Sequence, residues 1–153
     1  MTELIEAGDF LERARRRLRY GTLSREPLRL LRLVWKEATV ECDWLMRPAD
    51  PWDNSLPKRI ADEHQTLQAL RDALSLRDLV FASFADVERA DLRMFREEGE
   101  NRFELMMTGT VSRSNEVMQR VPSVAMRAKL CGFHFTLAGG VLESMRSVSM
   151  SCS

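Results

Sequence analysis

Few residues of this chain belong to the types that carry out catalysis or bind metals, and their spacing forms no known motif. The chain has three cysteines and two histidines, which are Cys42, Cys131, Cys152, His64 and His134. A nucleophilic thiol needs a base such as histidine beside it, and a structural zinc site needs cysteine and histidine at close spacing. The stretch "DEH" at residues 62–64 is not the H-E-x-x-H of zinc peptidases, and no phosphate-binding glycine loop occurs. From motifs we therefore expect no catalytic residue, no metal and no cofactor.

Four side chains are candidates for a binding pocket, and they are Trp44, Trp52, His64 and Cys42. They flank the junction between a predicted strand and a long predicted helix, so a pocket would lie between the sheet and that helix. Tryptophan can pack on a ligand, and a cysteine–histidine pair that meets in space can act as a nucleophile. The alternative is structural, because a free cysteine on an apolar face is most often a small buried hydrophobe. We expect this structural role for Cys42 and Cys131.

The segment "CDWLMRPADPWDNSLPKR", residues 42–59, joins that strand to that helix. Pro48 and Pro51 end the strand, because proline has no backbone N–H and biases the residue before it away from helix. Pro57 suits the first turn of a helix, where a missing N–H costs nothing. The three aspartates of the segment do not follow the calcium-loop pattern. A stiff connector accounts for the whole segment without a ligand.

The composition is that of a folded protein with balanced charge. Of 153 residues, 44% are hydrophobic and 30% are charged, with 23 basic and 23 acidic side chains. A net charge of zero argues against a domain devoted to nucleic acid or to an anionic membrane. No apolar run approaches the roughly 20 residues of a membrane helix, and the N-terminal stretch lacks the apolar core of a secretory signal. We expect a soluble cytoplasmic protein with one domain over residues 1–146 and a flexible tail over 147–153.

Apolar residues at spacings of three and four predict three helices, over roughly residues 2–20, 56–84 and 114–132. The second segment fits one long helix or two helices broken near its middle. Pro122 lies within the third segment, so that helix is kinked there or begins there. Gly132 suits the left-handed position that follows a last helical turn.

Alternation of apolar and polar residues predicts two β-hairpins, over residues 28–47 and 88–111. In the first hairpin, Glu41 and Asp43 alternate with apolar neighbours. Its turn near "KEAT" has no glycine, so we expect a long or irregular turn. A continuation of the preceding helix is the alternative for residues 87–97. We favour strands there because the alternation resumes directly after the turn "REEGEN".

Together with a last strand near "FHFTL", these elements follow the order α-β-β-α-β-β-α-β. We predict an α+β fold in which helices pack on one face of a mostly antiparallel sheet. From Val40 onward the order β-α-β-β-α-β is also that of a ferredoxin-like split β-α-β unit, which we consider as the core topology.

Two groups of residues are candidates for an interaction surface. Under strict alternation, Phe95 and Met106 lie on the sheet face opposite their apolar neighbours, where a helix, another subunit or a ligand would cover them. Arg15, Arg16 and Arg19 crowd the end of the first helix, and guanidinium groups match phosphate oxygens well. The alternative for these arginines is a solvated helix end, because the helix dipole favours cations there.

Missing catalytic motifs and apolar residues on both sheet faces favour a non-enzymatic protein-interaction or assembly module, as a homo-oligomer or with another protein. Two other functions remain open. One is a small-molecule-binding domain or enzyme that uses the four pocket residues, and the other is nucleic-acid binding through the arginine-rich first helix. A cavity lined by the pocket residues would favour the former.

We expect the triple substitution Arg15→Gln, Arg16→Gln and Arg19→Gln to leave nucleic-acid retention unchanged. Electrostatic affinity grows with the number of phosphates neutralised, and one short cluster neutralises only a few. Titration of both proteins against single- and double-stranded oligonucleotides at low salt tests this. Micromolar binding that the triple variant loses, with a steep salt dependence, would instead assign nucleic-acid binding to the first helix.

Overall fold

A computed structural model describes residues 2–18, 28–48, 55–114 and 121–149. Within them the helices are α1 Thr2–Arg17, α2 Lys58–Ser83 and α3 Val124–Cys131. The long strands are β1 Arg29–Lys36, β2 Thr39–Leu45, β3 Arg89–Glu97 and β4 Arg102–Ser112. The short strands are β5 Phe133–His134, β6 Thr136–Ala138, β7 Val141–Glu143 and β8 Arg146–Ser149. The predicted order is confirmed, and three short strands follow it.

The main sheet has the strand order β1-β2-β3-β4-β5, with β8 also paired to β4, while β6 and β7 form a separate hairpin. Every pair in the main sheet is antiparallel except β2–β3, which is parallel. The predicted α+β class with a mostly antiparallel sheet is therefore confirmed. The ferredoxin-like topology is wrong, because a split unit needs a strand between β2 and β3. Here α2 carries the chain directly from β2 to its neighbour β3, and β1 occupies the other edge of β2.

The three open questions about element boundaries are settled by the structure. The segment from Lys58 to Ser83 is one helix of 26 residues. Residues 89–97 form a strand that pairs with β4, so both predicted hairpins are confirmed. The third helix begins after Pro122, with the Ser123 hydroxyl accepting a hydrogen bond from the Met126 N–H. Proline suits this position, because it is tolerated at the start of a helix but not inside one.

Two turns show how local conformation is set. The β1–β2 turn is tight rather than long, and Glu37 takes a left-handed φ of 54° although it is not glycine. The indole N–H of Trp35 donates to the carbonyl oxygen of Glu37 at 3.1 Å, which helps hold this turn. Gly132 ends α3 with a φ of 114°, as predicted, and a Cβ there would lie 2.7 Å from the Thr110 carbonyl oxygen. Only glycine fits that position.

The helices cover one face of the sheet, which we call the helix face. Residues of all three helices share one buried cluster with alternate residues of the strands, including Phe10, Ala14, Leu70, Ala73, Val80, Ala128, Val40, Cys42, Trp44, Leu92 and Met94. The other side, the open face, carries the intervening strand residues. It includes Leu31, Arg32, Val34, Glu41, Asp43, Leu45, Asp91, Arg93, Phe95, Leu105, Thr108 and Thr110.

A buried ion pair joins the sheet to α2 on the helix side. The Arg47 guanidinium donates to both carboxylate oxygens of Asp72, at 2.7 and 3.1 Å, and both side chains are almost fully buried. Arg47 also donates to the carbonyl oxygen of Leu18 at 2.7 Å, at the end of α1. Gln68 donates to Asp72 at 2.9 Å. This network therefore ties the end of β2 to α1 and α2 at once.

We expect Arg47→Met to destabilise the protein by about 3–5 kcal/mol, because it leaves Asp72 buried without its opposite charge. Replacing both residues with apolar ones, as in Arg47→Met/Asp72→Leu, should recover much of that loss. Urea unfolding of the natural protein and both variants measures the difference. Equal stability of Arg47→Met and the natural protein would contradict the role given to this pair.

The stability that Arg47→Met loses should depend on pH. Burial raises the pKa of the Asp72 carboxyl above its usual value, and the bonds from Arg47 and Gln68 oppose that rise. Without Arg47 the folded-state pKa rises further, so the folded state takes up a proton more readily than the unfolded chain. Stability then falls as pH rises through that range, and the deficit of Arg47→Met shrinks as the solution is acidified. Repeating the unfolding at about pH 7 and about pH 5 tests this sign.

Candidate functional site

The three described residues of the predicted pocket lie in and beside the core. Cys42 and Trp44 are completely buried on the helix face of β2. His64 is half-buried on α2, and Trp52 lies outside the described residues. The described part of the chain has a cavity of about 200 Å³ lined by Leu18, Ser75, Asp78 and Leu79, so Cys42, Trp44 and His64 do not line it. The structure thus packs the strand residues of the predicted pocket into the core.

The chemistry of the two described thiols follows from their burial. Burial raises the pKa of Cys42 to about 12, and the nearby negative charge of Asp43 adds to the rise. Burial also raises the pKa of Cys131, which lies on the inner side of α3. A thiol must lose its proton to become a nucleophile or a metal ligand. Both cysteines therefore stay protonated near neutral pH.

Phe95 and Met106, predicted to share an interaction surface, lie on opposite faces. Phe95 is on the open face as expected, and it is buried there. Met106 belongs to the helix-face core, so the face predicted for it is wrong. The cause is a β-bulge: Met94 pairs with Met107 and Phe95 pairs with Leu105, which leaves Met106 as an extra residue in β4. An extra residue shifts the alternation of every residue beyond it.

The arginines predicted at the end of the first helix are only partly described. Arg15 and Arg16 are exposed on α1, and Arg19 lies outside the described residues. Arg16 donates to Glu12 at 2.7 Å, one turn earlier on the same helix. Such an exposed pair contributes little to stability, and it offsets the charge of one of the two exposed guanidinium groups.

The open face is organised in rows that run across the strands. The first row is apolar: Leu45, Phe95 and Leu105 are neighbours on β2, β3 and β4, and Leu31 and Phe103 pack against them. Leu31 reaches this face because a second bulge, between Leu30 and Arg32, shifts the alternation of β1. These contacts form a small core on the face that lacks the helices.

The second row, which we call the cationic row, consists of Arg32, Asp43, Arg93 and Thr108 in register on the four strands. The Arg93 guanidinium donates two hydrogen bonds to the Asp43 carboxylate, of 3.0 and 2.6 Å, and it lies over the Phe95 ring at 5.2 Å. The bond to Asp43 raises the pKa of Arg93 further. The Asp43 side chain is only 2% exposed, whereas those of Arg32 and Arg93 are 40% and 39% exposed. The buried carboxylate therefore anchors a cation that faces outward.

The third row, which we call the acidic row, is Val34, Glu41, Asp91 and Thr110. Glu41 accepts weak bonds of 3.4 Å from Arg32, and its side chain is 37% exposed. Asp91 accepts from the Thr110 hydroxyl at 2.8 Å and, within the described residues, makes no ion pair. Two carboxylates thus sit side by side with only partial compensation. The face presents adjacent rows of opposite charge in fixed positions.

Sequence reasoning did not single out Arg32, Arg93 or Asp91. The available signal was their place on the polar side of alternating strands, as in "RADLRMF". Recognising the rows also needs the strand order and the register. Asp43 and Arg93 lie 50 positions apart in the chain.

No family model, curated protein or solved structure matches this chain. Among the described residues, no helix is long and apolar enough to cross a membrane, and no group of histidine, cysteine, aspartate and glutamate side chains could hold a metal ion. The case for a function therefore rests on the geometry of the open face.

We expect a thiol reagent to label Cys42 and Cys131 in the folded protein at least about a hundredfold more slowly than Cys152. Labelling of a buried thiol requires the protein to open, and the raised pKa slows the reaction further. Mass spectrometry of samples taken over time identifies each labelled cysteine. In urea all three should react at similar rates. Labelling of Cys42 as fast as Cys152 without denaturant would contradict the structural role.

Proposed function

We propose that this protein is a protein-interaction module whose contact surface is the open face of the sheet. The observation that supports this most strongly is the pair of charged rows, which are half-exposed and held in register by four strands. Surface charges on flexible side chains lose conformational freedom when they bind. Here strand pairing and hydrogen bonds have already limited that freedom.

Arg93 illustrates how the face is prepared for binding. Its guanidinium is oriented by the buried carboxylate of Asp43 and by the ring of Phe95, yet much of the side chain stays accessible. Arginine is enriched at protein interfaces, where its planar group forms paired hydrogen bonds and packs on other side chains. Because Asp43 and Phe95 already hold the Arg93 side chain in place, its accessible N–H groups can bind a partner at a lower entropic cost than those of a mobile arginine.

The other two functions have weaker support. The cavity that the described residues form beside α2 holds about 200 Å³, which is below the roughly 300–1,000 Å³ of typical small-molecule sites. The buried thiol of Cys42 is unsuited to nucleophilic chemistry because of its raised pKa. For nucleic acid, the exposed arginines described on α1 are Arg15 and Arg16, and Arg16 is already paired with Glu12.

A photoreactive phenylalanine analogue at Thr110 should form protein adducts in the native cells, because Thr110 is exposed on the open face. The same analogue at Leu130 is the matched control, since Leu130 is exposed on α3 and is itself large and apolar. Denaturing electrophoresis after irradiation separates the adducts by mass, whether the partner is another protein or a second copy. Adducts at Leu130 but not at Thr110 would reject the open face as the contact surface.

A further inference from the structure

We infer that the partner of the open face is a second copy of this chain, bound through a twofold axis that brings the cationic row of each protomer against the acidic row of the other. This inference rests on the proposed function, because it names the partner of that same surface. It follows from the signs and the order of the charges on the face.

The mixture of charges argues against a partner of a single sign. Arg32 and Arg93 stand on one row, while Glu41 and Asp91 stand on the next. An acidic partner would meet the carboxylates, and a basic partner would meet the guanidinium groups. Like charges brought together in an interface cost affinity and reject the wrong partner. The matching surface must therefore carry both signs in neighbouring rows, and the open face itself is such a surface.

The direction of the axis follows from the rows. A twofold contact uses the same patch on both subunits. When two sheets pack face to face, the twofold axis lies in the plane between them. An axis parallel to the strands would place each row against its own copy, so cations would meet cations. An axis that runs across the strands, between the two rows, exchanges the rows and places the exposed guanidinium groups against the acidic row. Asp43 then faces Glu41 of the partner subunit, but its carboxylate is only 2% exposed and is already bound by Arg93 of its own chain.

The register then predicts which residues meet. Residues two apart on a strand are separated by roughly 7 Å, and packed sheets lie about 10 Å apart, a gap that two facing side chains can bridge. Strand for strand, Arg93 faces Asp91 of the partner subunit, and Thr108 faces Thr110 of the partner subunit. Arg32 comes near Glu41 of the partner subunit, one strand across. Asp91 has no ion pair within the described residues, and this arrangement supplies one.

Two pairs of substitutions on β4 test the arrangement while leaving Arg93, Asp43 and Asp91 themselves in place. Both pairs remove the hydrogen bond that the Thr110 hydroxyl donates to Asp91. In Thr108→Lys/Thr110→Lys, two lysines of one protomer face two lysines of the other, and in Thr108→Glu/Thr110→Glu two glutamates face two glutamates. We expect each variant alone to dissociate about tenfold or more readily than the natural protein. An equimolar mixture should form a heterodimer at least as tight as the natural dimer, and added salt should weaken it.

Sedimentation velocity and light scattering over a range of concentrations measure the masses, starting from 17.7 kDa for one chain. The matched control is the same swap on α3, with Met126→Lys/Leu130→Lys and Met126→Glu/Leu130→Glu. These two positions are 50% and 45% exposed. The control variants should associate as the natural protein does, and mixing them should change nothing. Circular dichroism and urea midpoints establish whether each variant folds. If a β4 variant does not fold, Asp91→Lys takes its place in the test.

The outcomes separate the inference from the proposed function. A natural protein that stays monomeric at about 100 µM, well above common interface affinities, overturns the inference. If Thr110 then still yields adducts with another protein, the open face remains an interaction surface. Dimers that survive both β4 swaps unchanged also overturn the inference. If the α3 variants change the association and the β4 variants do not, the interface lies on α3. The open face is then rejected both as the contact surface and as the dimer interface.

Discussion

A buried ion pair between the sheet and the long helix determines how these two parts of the molecule pack. Arg47 lies just beyond β2, and Asp72 lies midway along α2. The third bond of Arg47, to the carbonyl oxygen of Leu18, places the end of α1 in the same network. A buried pair of this kind adds little net stability compared with apolar residues, yet it tolerates few alternative arrangements because an unpaired charge is costly. We infer that its main contribution is to orient both helices on the sheet.

The position of α2 in turn determines the open face. Since this helix carries the chain from β2 back to the start of β3, the two strands run parallel and lie side by side. That register places Asp43 beside Arg93 and Glu41 beside Asp91, although each pair is 50 positions apart in the chain. A strand inserted between β2 and β3, as in a split unit, would have separated Asp43 from Arg93 and Glu41 from Asp91. The charged rows are therefore a consequence of the parallel pair, which is the only one in the described sheet.

The two faces use the same strands for different purposes. The helix face is apolar and closed, with cysteine, tryptophan and methionine side chains that fill it. The open face combines a small apolar row with two charged rows, so it has enough packing to hold its arginines still and enough exposure to present them. Antiparallel sheets commonly leave one face in water. What distinguishes this one is that its solvent-accessible charges are ordered by sign.

Local patterns in the sequence were enough to predict the helices, both hairpins and the α+β class. Periods of 3.6 and 2 report which residues share a face, and Pro122 and Gly132 mark where α3 begins and ends. They could not place Met106 or Leu31, because each lies at a bulge where one extra residue reverses the alternation, and a bulge exists only between two paired strands. They also could not bring Asp43 to Arg93 or Arg47 to Asp72, since these contacts depend on strand order and on how α2 crosses the sheet. The residue types were visible in the chain, but the tertiary structure decided which of them meet, because side-chain contacts across strands follow from register and not from local periodicity.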